Sequence, residues 1–163
     1  RSLPTVAQGN HQRGLFAGLA PLLAALFLLL ASCSPLAVQA PEGFAELEGR
    51  GRTFRAVSPE GMLFRVRLLK NEPSQELSFW SETLGSQLAK EGYRSSGERA
   101  EFAGGAGVLY EWAAPYGNES YLYLTGLMVS RRRIALVEAA APYPVFVQHR
   151  QALRDSLETL RLR

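Results

Sequence analysis

Apolar and polar residues change rhythm several times along this 163-residue chain. From Gly14 to Ser32 there is no rhythm: GLFAGLAPLLAALFLLLAS is apolar or small throughout and carries no charge. From Arg52 the pattern becomes periodic. RTFRAV and MLFRVRLL flank SPEG, and apolar and basic residues alternate in FRVR, the two-residue period of a strand with one wet side. Ser58-Pro59-Glu60-Gly61 is turn chemistry, so a hairpin is predicted from about Thr53 to Leu69. The period then lengthens. Leu77, Trp80, Leu84 and Leu88 recur at helical spacing, with Pro73 placed for the first turn and Gly92 for the stop. YRSSGERAEF reads as a polar edge strand, AGGAG as a flexible turn, and VLYEWAAP as a better strand. YLYLTGLMVS and RIALVEAAAP are apolar on both faces, which places them in the middle of a covered sheet, joined at the SRR turn. Finally Phe146, His149 or Arg150, Leu153, Leu157 and Leu160 mark a closing helix. Arg161 and Arg163 stand at its C-terminal end, where positive charge suits the helix dipole.

The predicted order is β-β-α-β-β-β-β-α. Short links make the sheet mostly antiparallel, and its two-sided central strands call for helices on both faces. The expected fold class is α+β, an α/β/α sandwich of about six strands. It occupies residues 52–163, behind a leader at 1–32 and a flexible tether at 33–51. The tether, SPLAVQAPEGFAELEGRG, is rich in Pro and Gly; Phe44 and Leu47 are its candidates for docking on the domain.

The leader opens with a polar, positive segment, RSLPTVAQGNHQR, and closes with small residues, the layout of a secretory signal. A retained membrane helix is the alternative, but the run is slightly short of a bilayer's need, Pro21 interrupts it, and no basic cluster follows. Leu30-Ala31-Ser32-Cys33 resembles a bacterial lipobox. Small side chains fit a narrow peptidase groove, and a thiol is readily alkylated. Cleavage after Ala40 also fits a small-x-small pattern, but it would leave Pro41 after the cut. The expectation is a mature chain that starts at lipidated Cys33, with two or more acyl chains for stable anchoring. Serine at position 34 favours the outer membrane over the inner one, by resemblance to Gram-negative lipoproteins.

Charge changes little in this picture. Taking Arg1 and Arg13 from the 18 basic residues leaves 16 against 15 acidic ones. A near-neutral domain lacks the broad basic face that nucleic acid requires. Candidate chemistry is sparse. Cys33 is the one cysteine, Asp155 the one aspartate, and His11 and His149 the two histidines. That set supports no disulfide and no metal site, and no cofactor is expected. His149 and Asp155 lie six residues apart, about 600° of helix, and point to different sides. The glycines of AGGAG are followed by neither Lys-Ser/Thr nor a helix, so they form no phosphate loop. Glu111 falls in a strand. Glu138 interrupts the apolar run LVEAAA and must be paired or shifted in pKa; an arginine partner or an exposed strand end is the first expectation, a ligand contact the second and catalysis the third. Arg131, Arg132 and Arg133 read first as a solvated hairpin tip, with contact to lipid phosphates or an acidic partner as the alternative. Trp80, Tyr110, Trp112, Tyr116, Tyr121 and Tyr123 are candidates for a groove.

With ELSFWSETLGSQLAKEGYR ahead of four strands, the YLYLTGLMVSRRRIALVEAAAP hairpin, and DSLETLRL at the end, residues 52–162 resemble the PsbP-like α/β/α domains, and among them the DcrB-like bacterial lipoproteins. The resemblance implies envelope or thylakoid-lumen proteins that assist larger assemblies, without shared catalytic residues. The resulting expectation is a non-enzymatic, lipid-anchored envelope protein with a protein partner. A small-molecule or lipid binder with an aromatic groove is the alternative.

Overall fold

A computed structural model describes residues 35–48, 51–114 and 119–163. The leader, the Leu30–Cys33 motif and Tyr116 lie outside the described residues. The described elements are β1 (Leu36–Ala37), β2 (Ala45–Leu47), β3 (Thr53–Val57), β4 (Leu63–Lys70), α1 (Leu77–Lys90), β5 (Arg94–Phe102), β6 (Gly107–Ala114), β7 (Tyr121–Val129), β8 (Arg133–Pro142), α2 (Tyr143–Glu158) and β9 (Arg161–Leu162).

Seven strands form one sheet in the order β2-β3-β4-β8-β7-β6-β5, and every pairing is antiparallel. The two strands that are apolar on both faces, β7 and β8, occupy its middle. The polar β5 is an edge, as its composition predicts. Its charged residues and a bulge between Ser95 and Arg99 blunt that edge against pairing with other chains. At the opposite edge β2 is only three residues long.

The main core lies between the sheet and α2. Phe146, Leu153 and Leu157 on the helix and Leu160 just after it are fully buried, and they meet Phe64, Val66, Leu124 and Val137 from the strands. Gly107 allows this packing, because a Cβ there would come within 2.3 Å of the buried Phe102 ring. Helix α1 packs on the other face, against β5 and β7, and Leu88 is its one buried residue. Its end is the one expected: Gly92 takes a φ of +90°, and the Gly92 and Tyr93 amides bond back to Ala89 and Leu88.

Four details differ from the sequence reading. Helix α1 begins at Leu77, so Pro73 stands before it rather than in its first turn. Helix α2 ends at Glu158, and Arg161 meets the dipole from beyond the helix by donating to the Glu158 and Leu160 carbonyls. Residues 35–48 are not a free tether. Leu36 and Ala37 pair with Leu162 and Arg161, Leu36 is buried, and β2 supplies the seventh strand. Two- and three-residue strands are too short to show a period, so composition alone suggested a linker. Lastly, the helix layer over the second face is partial: toward β4, Leu63 and Leu69 remain 38% and 40% exposed.

Candidate functional site

The uncovered end of the sheet is built by register. Arg65 stands directly opposite Glu138 across the β4–β8 pair, and Arg67 lies two residues along on the same face. Tyr123 is the diagonal neighbour from β7. Both arginines converge on one oxygen of Glu138: Arg65 Nη2 at 2.9 Å and Nε at 3.1 Å, and Arg67 Nε at 2.9 Å. The Tyr123 hydroxyl donates to the other oxygen at 2.9 Å. The carboxylate is thus fully engaged, and the cost of sinking a charge into an apolar strand is met by two cations and a hydroxyl. Tyr123 is held above its ordinary pKa of 10 by burial first, then by the negative charge of Glu138 and the bond to it. Its hydroxyl therefore stays a donor across the physiological range.

Next to this network lies an open hollow of about 400 Å³ lined by Leu63, Tyr93, Tyr121, Tyr123 and Glu138. Tyr93 packs on Tyr123 with ring centroids 5.3 Å apart. The arrangement offers flat apolar area, phenol groups and two oriented guanidinium groups. It offers no free general base. The other aromatics divide between two places. Tyr110 and Trp112 line a separate hollow under α1, Trp112 donating to Thr125 at 2.9 Å. Trp80 donates to Asn71 at 2.8 Å.

The remaining candidates have structural partners. His149 is buried on α2, with Nε2 2.8 Å from Glu60, and Phe44 meets its ring edge-on at 5.1 Å. Since a carboxylate only accepts, Nε2 carries the proton. Glu60 is held below its ordinary 4.5, first by the bond from His149 and then by that from Ser58. Asp155 is exposed and bonds Gln151 instead, so the two residues do point apart. Glu111, 1% exposed, receives Arg150 at 2.8 Å and has Arg154 at 3.6 Å. Among the described residues no group of three or more His, Cys, Asp and Glu is placed to hold a metal.

Arg131, Arg132 and Arg133 do form the β7–β8 tip, and they border a second hollow, of about 450 Å³. Asn71, which the sequence did not mark, fixes that tip. Its amide donates to Ser130 and Gln75 carbonyls, its oxygen accepts from Gln75 and Trp80, and its main-chain N–H bonds the Arg132 carbonyl. Arg65 and Arg67 were visible only as the wet side of FRVR. Their convergence on Glu138 depends on a strand pairing about 70 residues away in sequence.

No family model matches the sequence, and no curated protein matches it. Solved structures do. The crystal structure of LpqN, involved in cell envelope biogenesis of Mycobacterium tuberculosis, is 13% identical with a TM-score of 0.63, covering 82% of this chain and 87% of that one. A crystal structure from Bacteroides thetaiotaomicron VPI-5482 is 12% identical with a TM-score of 0.51; it covers 79% of this chain, which spans only 45% of that one. The solution structure of cyanobacterial PsbP from Synechocystis sp. PCC 6803 is 8% identical with a TM-score of 0.49, covering 82% and 96%. At such identities the likeness to LpqN speaks to fold alone: the two share a sandwich of an antiparallel sheet and helices.

Proposed function

We propose that the chain is a lipid-anchored, non-enzymatic protein of the bacterial cell envelope that docks onto other envelope proteins. The uncovered end of the sheet carries the docking role: exposed Leu63 and Leu69 lie beside two arginines that Glu138 holds in fixed orientation. Such a preset mixture of apolar area and guanidinium groups suits a protein surface. The leader ending in Leu30-Ala31-Ser32-Cys33 supports the envelope location and the anchor, and Ser34 favours the outer membrane. The part LpqN plays in cell envelope biogenesis supports the same location.

The test has two arms. Labelling with a fatty-acid probe should mark the wild-type chain and not Cys33→Ala; label on both, or on neither, refutes the anchor. Capture from detergent-solubilised envelopes should recover a defined protein with the wild type and lose it with Leu63→Asp. Repeated recovery of no protein would count against docking.

The aromatic hollow favours a second reading, a binder of a small molecule or lipid. Its volume of about 400 Å³ falls within the usual range for ligand sites. Native mass spectrometry of the purified chain would then show a co-purifying mass that Tyr93→Ala loses. A bare chain in both samples refutes it.

A further inference from the structure

The second hollow joins the β7–β8 tip to the start of the folded domain. Arg52, Lys70, Arg131, Arg132 and Arg133 border it, with Glu72 as its one carboxylate and Pro35 on its wall. The Lys70–Glu72 pair is exposed and loose at 3.9 Å. Among the described residues no carboxylate pairs with Arg52, Arg131, Arg132 or Arg133. Leu69, 40% exposed, adds apolar area. An adjoining hollow shares Asn71 and Arg131 and carries Phe79, 43% exposed, although Glu76 also borders it. Cations with at most one loose side-chain carboxylate partner, interleaved with exposed Leu and Phe, match the two layers of a membrane surface, phosphate outside and acyl chain beneath.

The position of Pro35 turns a basic patch into an oriented one. The Arg163 amide bonds the Pro35 carbonyl at 3.1 Å, and Arg133 Nη1 donates to the Arg163 carbonyl oxygen at 2.9 Å. The start of the folded domain is thereby tied to the tip of the β7–β8 hairpin. Cys33 precedes Pro35 by two residues, a span of at most about 7 Å. Acyl chains on Cys33 would thus hold Pro35, on the wall of this hollow, inside a Debye length of the lipidated residue.

We propose that the hollow bordered by Arg52, Lys70 and Arg131–Arg133 docks on the anionic phospholipid headgroups of the membrane to which Cys33 is anchored, so that the domain sits on the bilayer in a fixed orientation. This rests on the anchoring reading above. Docking at the hairpin tip leaves the Glu138 end of the sheet free for a protein partner.

The test uses the full chain purified from bacterial membranes, its mass first measured for lipid on Cys33. It is reconstituted into vesicles of phosphatidylcholine alone or mixed with phosphatidylglycerol, and amide hydrogen exchange is followed by mass spectrometry. Peptides spanning 69–76 and 129–134 should exchange more slowly on the anionic vesicles, and added salt should abolish the difference. A membrane-proximal cation shifts docking by about fivefold. Arg131→Gln with Arg132→Gln should therefore weaken docking about 25-fold and erase the protection. Both side chains are exposed and, among the described residues, bond no other group, so the pair should fold; Arg94→Gln, on the far edge strand, is the control. Equal exchange on both vesicle types, or protection that survives the double substitution, overturns the proposal. An unmodified Cys33 refutes the anchor alone, because the vesicle comparison still decides the patch for a chain held by its apolar leader.

Discussion

At Glu60 two donors, His149 Nε2 and Ser58 Oγ, each reach the same carboxylate oxygen at 2.8 Å. They lower its pKa in the folded chain below the ordinary 4.5. The folded state therefore favours the charged form. The stabilisation is present above pH 4.5 and is lost as pH falls through the folded value. Urea unfolding across an acid series should show stability declining below pH 4.5, with a flatter decline in Glu60→Gln; an identical decline would remove Glu60 from that linkage. Glu111 is a matter of pairing, since it is buried against its two arginines. Arg150→Ala should cost about 3 kcal/mol by leaving the buried carboxylate only Arg154, at 3.6 Å, whereas Glu111→Leu with Arg150→Met should restore most of it. Denaturant melts of the wild type and these two variants decide this. Here the sequence was only partly legible. Glu138 stood out because it breaks an apolar run. Glu111 had a similar setting, but its partners are on α2, 39 residues away.

Helices α1 and α2 have equally clear apolar spacing and unequal burial. Leu88 is the one buried residue of α1, while α2 buries Phe146, His149, Leu153, Ser156 and Leu157. Amide exchange should be faster in α1, as expected for an element with few buried apolar contacts. Gly85 sits within α1, and a Cβ there would meet only the Trp112 ring, at an ordinary 3.6 Å. Gly85→Ala should therefore raise stability by roughly 0.5–1 kcal/mol; a loss would mean that α1 packs more tightly than its burial implies. The β1–β9 pair offers the opposite experiment. Leu36 belongs to the main core despite its place in a Pro-rich stretch, so Leu36→Ala should cost about 2 kcal/mol in a denaturant melt. No measurable change would return residues 35–48 to the role of a tether.

For the whole molecule, the middle of the sheet was readable because a strand that is apolar on both faces can be covered only there, and β7 and β8 are there. The polar edge at β5 followed by the same reasoning. Antiparallel pairing followed from short links, and the α2 face followed from helical spacing. The sequence by itself thus determined the order of the eight longer elements, the sandwich, and the lipobox-like motif that motivates the anchor. All of these are local or periodic signals, written within a few turns of chain. Only the tertiary structure decided which charges meet. Glu138 finds Arg65, Arg67 and Tyr123 through strand register, and Glu60 finds His149 across 89 residues. It also decided that α1 leaves one end of the sheet open, and that Pro35 is tied through Arg163 to the arginine-rich hairpin tip. Such meetings are fixed by pairing between distant segments, and distance in space between them leaves no period in the sequence.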